Sequence, residues 1–310
     1  MTKKKNWFEI LKQREYRLFF MALPFMVLVF LLSYLPLRGW LYAFFNYTPG
    51  LPLTKESFVG LGNFRMILED EYAVADIVRV MRNTFAMSFI GLASSALPLV
   101  FAVFLNEIRF ISYRKTVQTL TTIPNFISWV LVYSVAYAMM SVNDGFINRF
   151  LMALGVIDSG VNFLARGDHV WIGMWAWGTW KGLGWGSIVY VAALTSIDQE
   201  LYEAARVDGA GRFRCMWHIT LPGLLPTYFV LLILSIANFI NNGVDQYYIF
   251  QNPMNRAAIE VLDLYVYNQG IVGINYSYSI AISILKSLVS LILLFAASAG
   301  SKFIREESIF

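Results

Sequence analysis

Charged residues are absent from long stretches of this chain and crowd into the segments between them. Residues 18–37, 83–106, 116–143 and 224–243 contain no Asp, Glu, Lys or Arg, and residues 169–197 and 276–299 are each interrupted by one lysine, Lys181 and Lys286. A helix rises 1.5 Å per residue, so about 20 apolar residues cross a hydrocarbon core roughly 30 Å thick. The pattern predicts six membrane-spanning helices at about 18–45, 83–106, 116–143, 169–197, 223–243 and 276–300. Residues 1–17 form a charged N-terminal segment, and residues 18–310 form one transmembrane domain. The fold class is all-α and polytopic.

Composition agrees with that pattern. The chain is 58% hydrophobic and 14% charged, against about 45–50% and about 25% for soluble domains. The basic start followed by an apolar run has the outline of a secretory signal. The run is longer than a signal core and no small-x-small site follows, so it is read as the first span.

Lys and Arg number fourteen in the segments that lie inside if the N-terminus is inside, and seven in those outside. Positive loops stay in the cytoplasm, which places both termini there. The formal net charge of +4 is therefore read as topology and not as a sign of nucleic-acid binding. Trp40, Tyr42, Trp171, Tyr276 and Tyr278 fall at predicted interfaces, where amphipathic rings prefer to sit. The longest connection, residues 46–82, is expected to form a small ordered cap, because Phe58, Leu61, Phe64, Met66 and Ile67 are too apolar for a disordered linker.

One cysteine, Cys215, and two distant histidines, His169 and His218, argue against a disulfide, a thiolate metal site or a Cys/His catalytic pair. No catalytic or metal-binding residue is assigned. No Gly-x4-Gly-Lys-Ser/Thr pattern is present, so no cofactor is expected on this chain and any ATP and Mg would be bound by a partner ATPase.

Residues 198–222 form the most informative loop. Asp198 or Ser196 is placed to cap a helix, Glu200 and Glu203 to complement its dipole, and Ala204 and Ala205 to favour it. Asp208-Gly209 should break that helix, and a second short helix over about 212–219 is expected to end before Pro222. The spacing Glu203-Ala204-Ala205, three residues, Gly209, nine residues, Ile219-x-Leu221-Pro222 resembles the EAA loop of permease subunits of binding-protein-dependent ABC importers. The resemblance implies a type I permease fold in a bacterial cytoplasmic membrane, with a coupling helix docked on a cytoplasmic ATPase. It also implies a second permease subunit, a dimer of ATPase subunits and an extracellular or periplasmic solute-binding protein. Residues 239–253, 34–50 and 58–68 are similar to the permeases of oligosaccharide and complex-polysaccharide importers, which implies an oligosaccharide substrate.

Lys181 and Lys286 sit near the middle of predicted spans, where a charge costs about 2.5–3.5 kcal/mol on insertion scales. No carboxylate lies within the spans so drawn, and the nearest, Asp245, is at the outer end of span five. Both lysines are thus candidates to line a wet path suited to an acidic sugar, or else to bond backbone carbonyls. Trp177, Trp180 and Lys181 share one helical face, taken as the pore side, and Gly178, Gly182, Gly184 and Gly186 leave room for close packing or a ligand. Ser235, Asn238 and Asn242 follow i, i+3, i+7, giving span five a polar stripe that would continue the path. An integral-membrane transferase and an ion-coupled carrier remain as alternatives. The transferase would need converging acids or histidines, and the carrier would favour intramembrane carboxylates.

Overall fold

The computed structural model describes residues 14–305, so residues 1–13 of the charged N-terminal segment and residues 306–310 lie outside it. Among the described residues there is no β-strand, only an isolated antiparallel bridge between Phe45 and Phe58. The first helix, α1 (Arg14–Val29), continues through a π turn and a 3-10 stretch that starts at Leu35-Pro36 and ends at Phe44. A short helix α2 (Gly62–Glu69) precedes α3 (Glu71–Ala93), which is capped by the Asp70 carboxylate on the Ala73 N–H at 2.8 Å. In the cap, Phe64 and Ile67 pack inward, whereas Phe58, Leu61 and Met66 remain exposed. Asn63 anchors it by donating to the Ala43 and Phe45 carbonyls at 2.9 and 3.2 Å.

After a break at Ser94-Ser95-Ala96 the chain resumes as α4 (Leu97–Asn106), with Pro98 in its first turn, where a missing N–H does no harm. Residues 71–106 are thus one apolar stretch that begins well before the expected position 83. The expected third span is broken. Helix α5 (Ile111–Thr122) and the 3-10 turn Ile123–Phe126 meet α6 (Trp129–Met140) at 106°, with Pro124 at the turn and Ser128 capping the new helix. Next come α7 (Phe146–Ala153) and α8 (Val170–Leu194), whose 25 residues reach about 37 Å.

Among the described residues, four helical stretches are long and apolar enough to cross a membrane, or five if the bent pair counts as one. They are Leu18–Phe44, Glu71–Asn106, Arg212–Ala237 and Tyr276–Ala299. Helix α8 is not among them, although it has the length. Its tryptophans and glycines make it less apolar, and those residues are put to use in packing.

Glycine at 184 lets α5 cross α8 backbone to backbone. A Cβ there would lie 2.2 Å from the Thr121 carbonyl oxygen, and one at Gly186 would lie 3.3 Å from the Pro98 ring. No such neighbour faces Gly182, and Gly178 meets only the end of the Gln246 side chain at 3.5 Å. The four glycines divide by function: two admit neighbouring helices and two border open space.

The loop after α8 contains α9 (Gln199–Val207) and α10 (Arg212–Cys215). The second helix does not stop before Pro222 as expected. It passes through a π turn, Met216–Thr220, into α11 (Leu221–Ala237). The wide turn, closed by the Leu221 N–H on the Met216 carbonyl, places Pro222 in a first turn, where its lost hydrogen bond is of no consequence.

Residues 244–275, expected to be an outer loop, instead fold into the bundle. They form α12 (Asp245–Phe250), α13 (Arg256–Ile259) and α14 (Leu262–Tyr267), which lead to α15 (Tyr276–Arg305). Phe250, Ile259, Val261, Leu262, Leu264 and Tyr265 are buried there. Polar bonds hold the segment to α3. Fully buried Asn83 donates to the Ala257 and Glu260 carbonyls, each at 3.0 Å, and buried Thr84 accepts the Leu262 N–H at 2.8 Å. The Glu260 carboxylate, 1% exposed, receives Arg79 at 2.9 Å and Asn268 at 2.8 Å.

The same fold-back supplies a carboxylate that the span pattern did not show. Asp263 pairs one oxygen with Lys286 of α15 and accepts the Gly243 N–H at 2.8 Å on the other. Lys286 therefore has an ionic partner, and that partner is not Asp245. Asp263 joins the end of α11, the fold-back and α15, and Gly243 reaches it with φ +78°.

Two outcomes follow from this packing. Gly184→Ala should lower stability by about 1–3 kcal/mol, because backbone must move, while Gly182→Ala should leave it unchanged; thermal unfolding of detergent-purified protein compares them. Removing either member of the largely buried Asp263–Lys286 pair should cost roughly 3–5 kcal/mol. The exchanged double variant Asp263→Lys/Lys286→Asp should recover part of that loss, and a double-variant cycle that shows no coupling would contradict the pairing.

Candidate functional site

Two places bring the singled-out residues together. The first is the loop between α8 and α11. Asp198 caps α9 by accepting the Glu200 N–H at 3.0 Å, and the helix closes with the Ala210 N–H on the Ala205 carbonyl at 2.8 Å. Gly209 makes the turn with φ +77°, a backbone angle glycine adopts without a Cβ penalty. Glu203, Ala204 and Asp208 are exposed, and Val207 beside them is 88% exposed. Phe213 and Trp217 are 80% and 69% exposed on the following turns. The loop thus presents an apolar and charged surface that nothing among the described residues covers.

Its other side is tied to the bundle. The Tyr202 hydroxyl bonds buried Thr220 Oγ1 at 3.0 Å, and Arg212 pairs with Glu107 at the end of α4 at 2.9 Å. Ile219 and Leu221 are half-buried in the π turn and the start of α11, and Pro222 is exposed. A push on α9 would therefore reach the root of α11 through Tyr202 and the root of α4 through Arg212. The sequence pattern pointed to the exposed residues of this loop but to neither anchor, because a partner twenty or a hundred residues away leaves no local periodicity.

The second place is a cavity of about 410 Å³ between α3, α8 and α11. Ser235, Asn238 and Asn242 line it, as the polar stripe implied, together with Asn241 and Gln246. Across from them are Ser88, Ser94 and Ser95 of α3 and the break after it, and Trp175, Gly178, Thr179 and Gly182 of α8. Asn242 donates to Ser88 Oγ at 3.0 Å, Trp175 donates to Ser94 Oγ at 2.8 Å, and Gln246 donates to the Met174 carbonyl at 2.6 Å. Asn238 donates to the Leu234 carbonyl at 3.0 Å and accepts from Asn241 at 3.2 Å. Amides and hydroxyls with an indole edge make a neutral hydrogen-bonding wall. Such a wall suits a hydroxyl-rich surface.

Trp177, Trp180 and Lys181 do not join this cavity. Around α8, at 100° per residue, Trp177 lies about 100° and Trp180 about 160° from Gly178. Trp177 packs on Phe250 and edge-on against Trp180, which is exposed. Lys181 donates to the Pro124 and Asn125 carbonyls at 3.2 and 2.7 Å and lies 5.5 Å from the centre of the Trp129 ring. The Pro124 carbonyl also accepts the Ile127 N–H at 3.2 Å, so the ammonium caps the interruption between α5 and α6 chiefly through the Asn125 carbonyl. Lys286 is held by Asp263. Trp175 and Gln246 were not chosen from the sequence, although Trp175, Gly178 and Gly182 repeat at helical spacing and gave the signal that the Trp177 face overshadowed.

Comparison with known proteins agrees with this architecture. Over 306 residues the chain is 38% identical to Protein LplB of Bacillus subtilis (strain 168), covering 98% of this chain and 94% of that protein. It is 36% identical over 310 residues to the same organism's polygalacturonan/rhamnogalacturonan transport system permease protein YteP, covering 99% and 94%. A chain in the crystal structure of a bacterial ABC transporter involved in the import of the acidic polysaccharide alginate superposes with a TM-score of 0.84. It is 29% identical, and the match covers 96% of this chain and 99% of that one. The family described as binding-protein-dependent transport system inner membrane component matches residues 94–305. The stretch runs from the break after α3 to the end of α15 and takes in the exposed loop and the cavity wall apart from α3, and the chain belongs to that family.

Proposed function

We propose that this chain is a membrane permease subunit of an ATP-driven sugar importer, through which an acidic oligosaccharide passes from a solute-binding protein into the cell. The observation that carries the reading is the exposed α9 loop. It has the Glu203-Ala204-Ala205…Gly209 spacing within the family match, an uncovered outer surface and a hydrogen bond to the base of α11. A partner ATPase that binds ATP and Mg would close on α9, and Tyr202 and Arg212 would carry that movement to α11 and α4. Gly209 sets the angle at which the helix is offered, and small Ala204 allows close approach.

In this reading the chain spans a bacterial cytoplasmic membrane six times with both termini inside. The bent α5–α6 pair and α8 complete the four apolar stretches. A second permease subunit faces the cavity wall and encloses the path between two bundles. The wall formed by Ser235, Asn238, Asn242, Trp175 and Gln246 would exchange hydrogen bonds with sugar hydroxyls in place of water. Lys181 and Lys286 would shape the path indirectly, since both are engaged with this chain's own oxygens. Support for an acidic sugar comes from relatives, namely the permease named for polygalacturonan/rhamnogalacturonan and the alginate transporter, also known in complex with an alginate pentasaccharide-bound periplasmic protein.

Glu203→Lys and Gly209→Pro should each abolish uptake and weaken ATPase retention on purification, with the permease still inserted in the membrane; normal uptake by both would overturn the coupling assignment. Asn238→Leu, which keeps the size of the side chain and removes its amide, should reduce uronate-oligosaccharide uptake by about tenfold, the value of roughly one hydrogen bond at 1.4 kcal/mol. Radiolabelled uptake in cells expressing the complete transporter measures it, with substrate-stimulated ATPase activity as the second readout.

A further inference from the structure

A second cavity, of about 630 Å³, lies at the end of the bundle that carries the α9 loop. Its wall includes Arg109, Arg114, Arg206 and Arg212, against the single carboxylate of Glu107. That carboxylate is committed to Arg212. Among the described residues, no hydrogen bond or ion pair engages the side chains of the other three arginines. Arg114 is nonetheless half-buried. Arg109 and Arg206 are exposed, and with Arg114 they gather positive charge around one cavity that an anion would offset.

The surroundings indicate which anion. Phe110, Ile111 and Tyr113, beside Arg109 and Arg114, are 79%, 68% and 61% exposed, so an apolar surface borders the basic cavity. Arginine forks match phosphate oxygens in bidentate geometry, and basic pockets at the cytoplasmic edge of membrane helices suit anionic headgroups. We propose that this cavity binds a phosphate-bearing anion, the headgroup of an anionic phospholipid whose acyl chains lie along Phe110 and Ile111. The proposal rests on the reading that the α9 end faces the cytoplasm. Because Arg206 belongs to α9 and Arg212 follows it, a bound headgroup would brace the loop against the α4–α5 turn and make coupling depend on lipid charge.

Cys215 lines the same cavity and is the chain's one cysteine, so it reports on occupancy. The complete transporter is reconstituted in nanodiscs of phosphatidylcholine with or without phosphatidylglycerol, and maleimide modification of Cys215 is timed. Phosphatidylglycerol should slow it about tenfold, and Arg109→Gln/Arg114→Gln should remove that protection, whereas lysine at both positions should keep part of it. Mass spectrometry of the purified complex should show the retained lipid lost in the glutamine variant. Protection by millimolar inorganic phosphate without protection by phosphatidylglycerol would keep a phosphate site but overturn the lipid as its source. Equal rates in all conditions would overturn the site. Cys215 that stays unreactive in every lipid until the ATPase is stripped away would also overturn it, since the ATPase would then fill the cavity. Modification of Cys215 only from the outer face of right-side-out vesicles would refute the topology instead, which separates that failure from loss of lipid dependence.

Discussion

The fold-back of residues 244–275 into the bundle is the constraint on which the remaining architecture depends. Backbone that leaves a helix at membrane depth must find partners within the protein, because hydrocarbon offers none. Here Asn83 and Thr84 on α3 take up backbone groups of the fold-back, and Asp263 takes the Gly243 N–H where α11 has ended. With that segment in place, α12 presents Gln246 to Met174 on α8, and the end of α11 can unwind through Asn238 and Asn242 beside a cavity.

Three interruptions within the bundle are met by polar side chains. Lys181 donates to the Asn125 carbonyl at the α5–α6 bend, Ser94 at the α3–α4 break accepts from Trp175, and Lys286 neutralises the carboxylate that holds Gly243. Lys181 and Lys286 are thus each engaged by oxygens of this chain, at the α5–α6 bend and at the fold-back. The cavity wall that remains is neutral, and its chemistry is that of amides, hydroxyls and an indole.

Force has a short route from the exposed loop to this cavity. Helix α9 is bonded through Tyr202 to Thr220, and α11 runs from there without interruption to Asn238. Arg212 ties the same loop to α4, which packs along α8. A displacement of α9 would therefore be felt at α11, which lines the cavity, and at α4, which packs along α8.

Hydrophobic runs and the spacing from Glu203 to Pro222 were sufficient, from the sequence alone, to indicate an all-helical membrane chain of the permease family, its exposed loop at 198–222 and its polar stripe at Ser235, Asn238 and Asn242. These features are local: they depend on which residues neighbour one another along a helix or a turn. Tertiary structure decided the rest. It bent the uncharged run 116–143 at Pro124, drew residues 244–275 inward, gave Lys286 the carboxylate of Asp263, and turned Trp175 instead of Trp177 towards the cavity. Each of these outcomes depends on a partner distant along the chain, and a buried polar group reveals its role only when the group that satisfies it has been brought alongside.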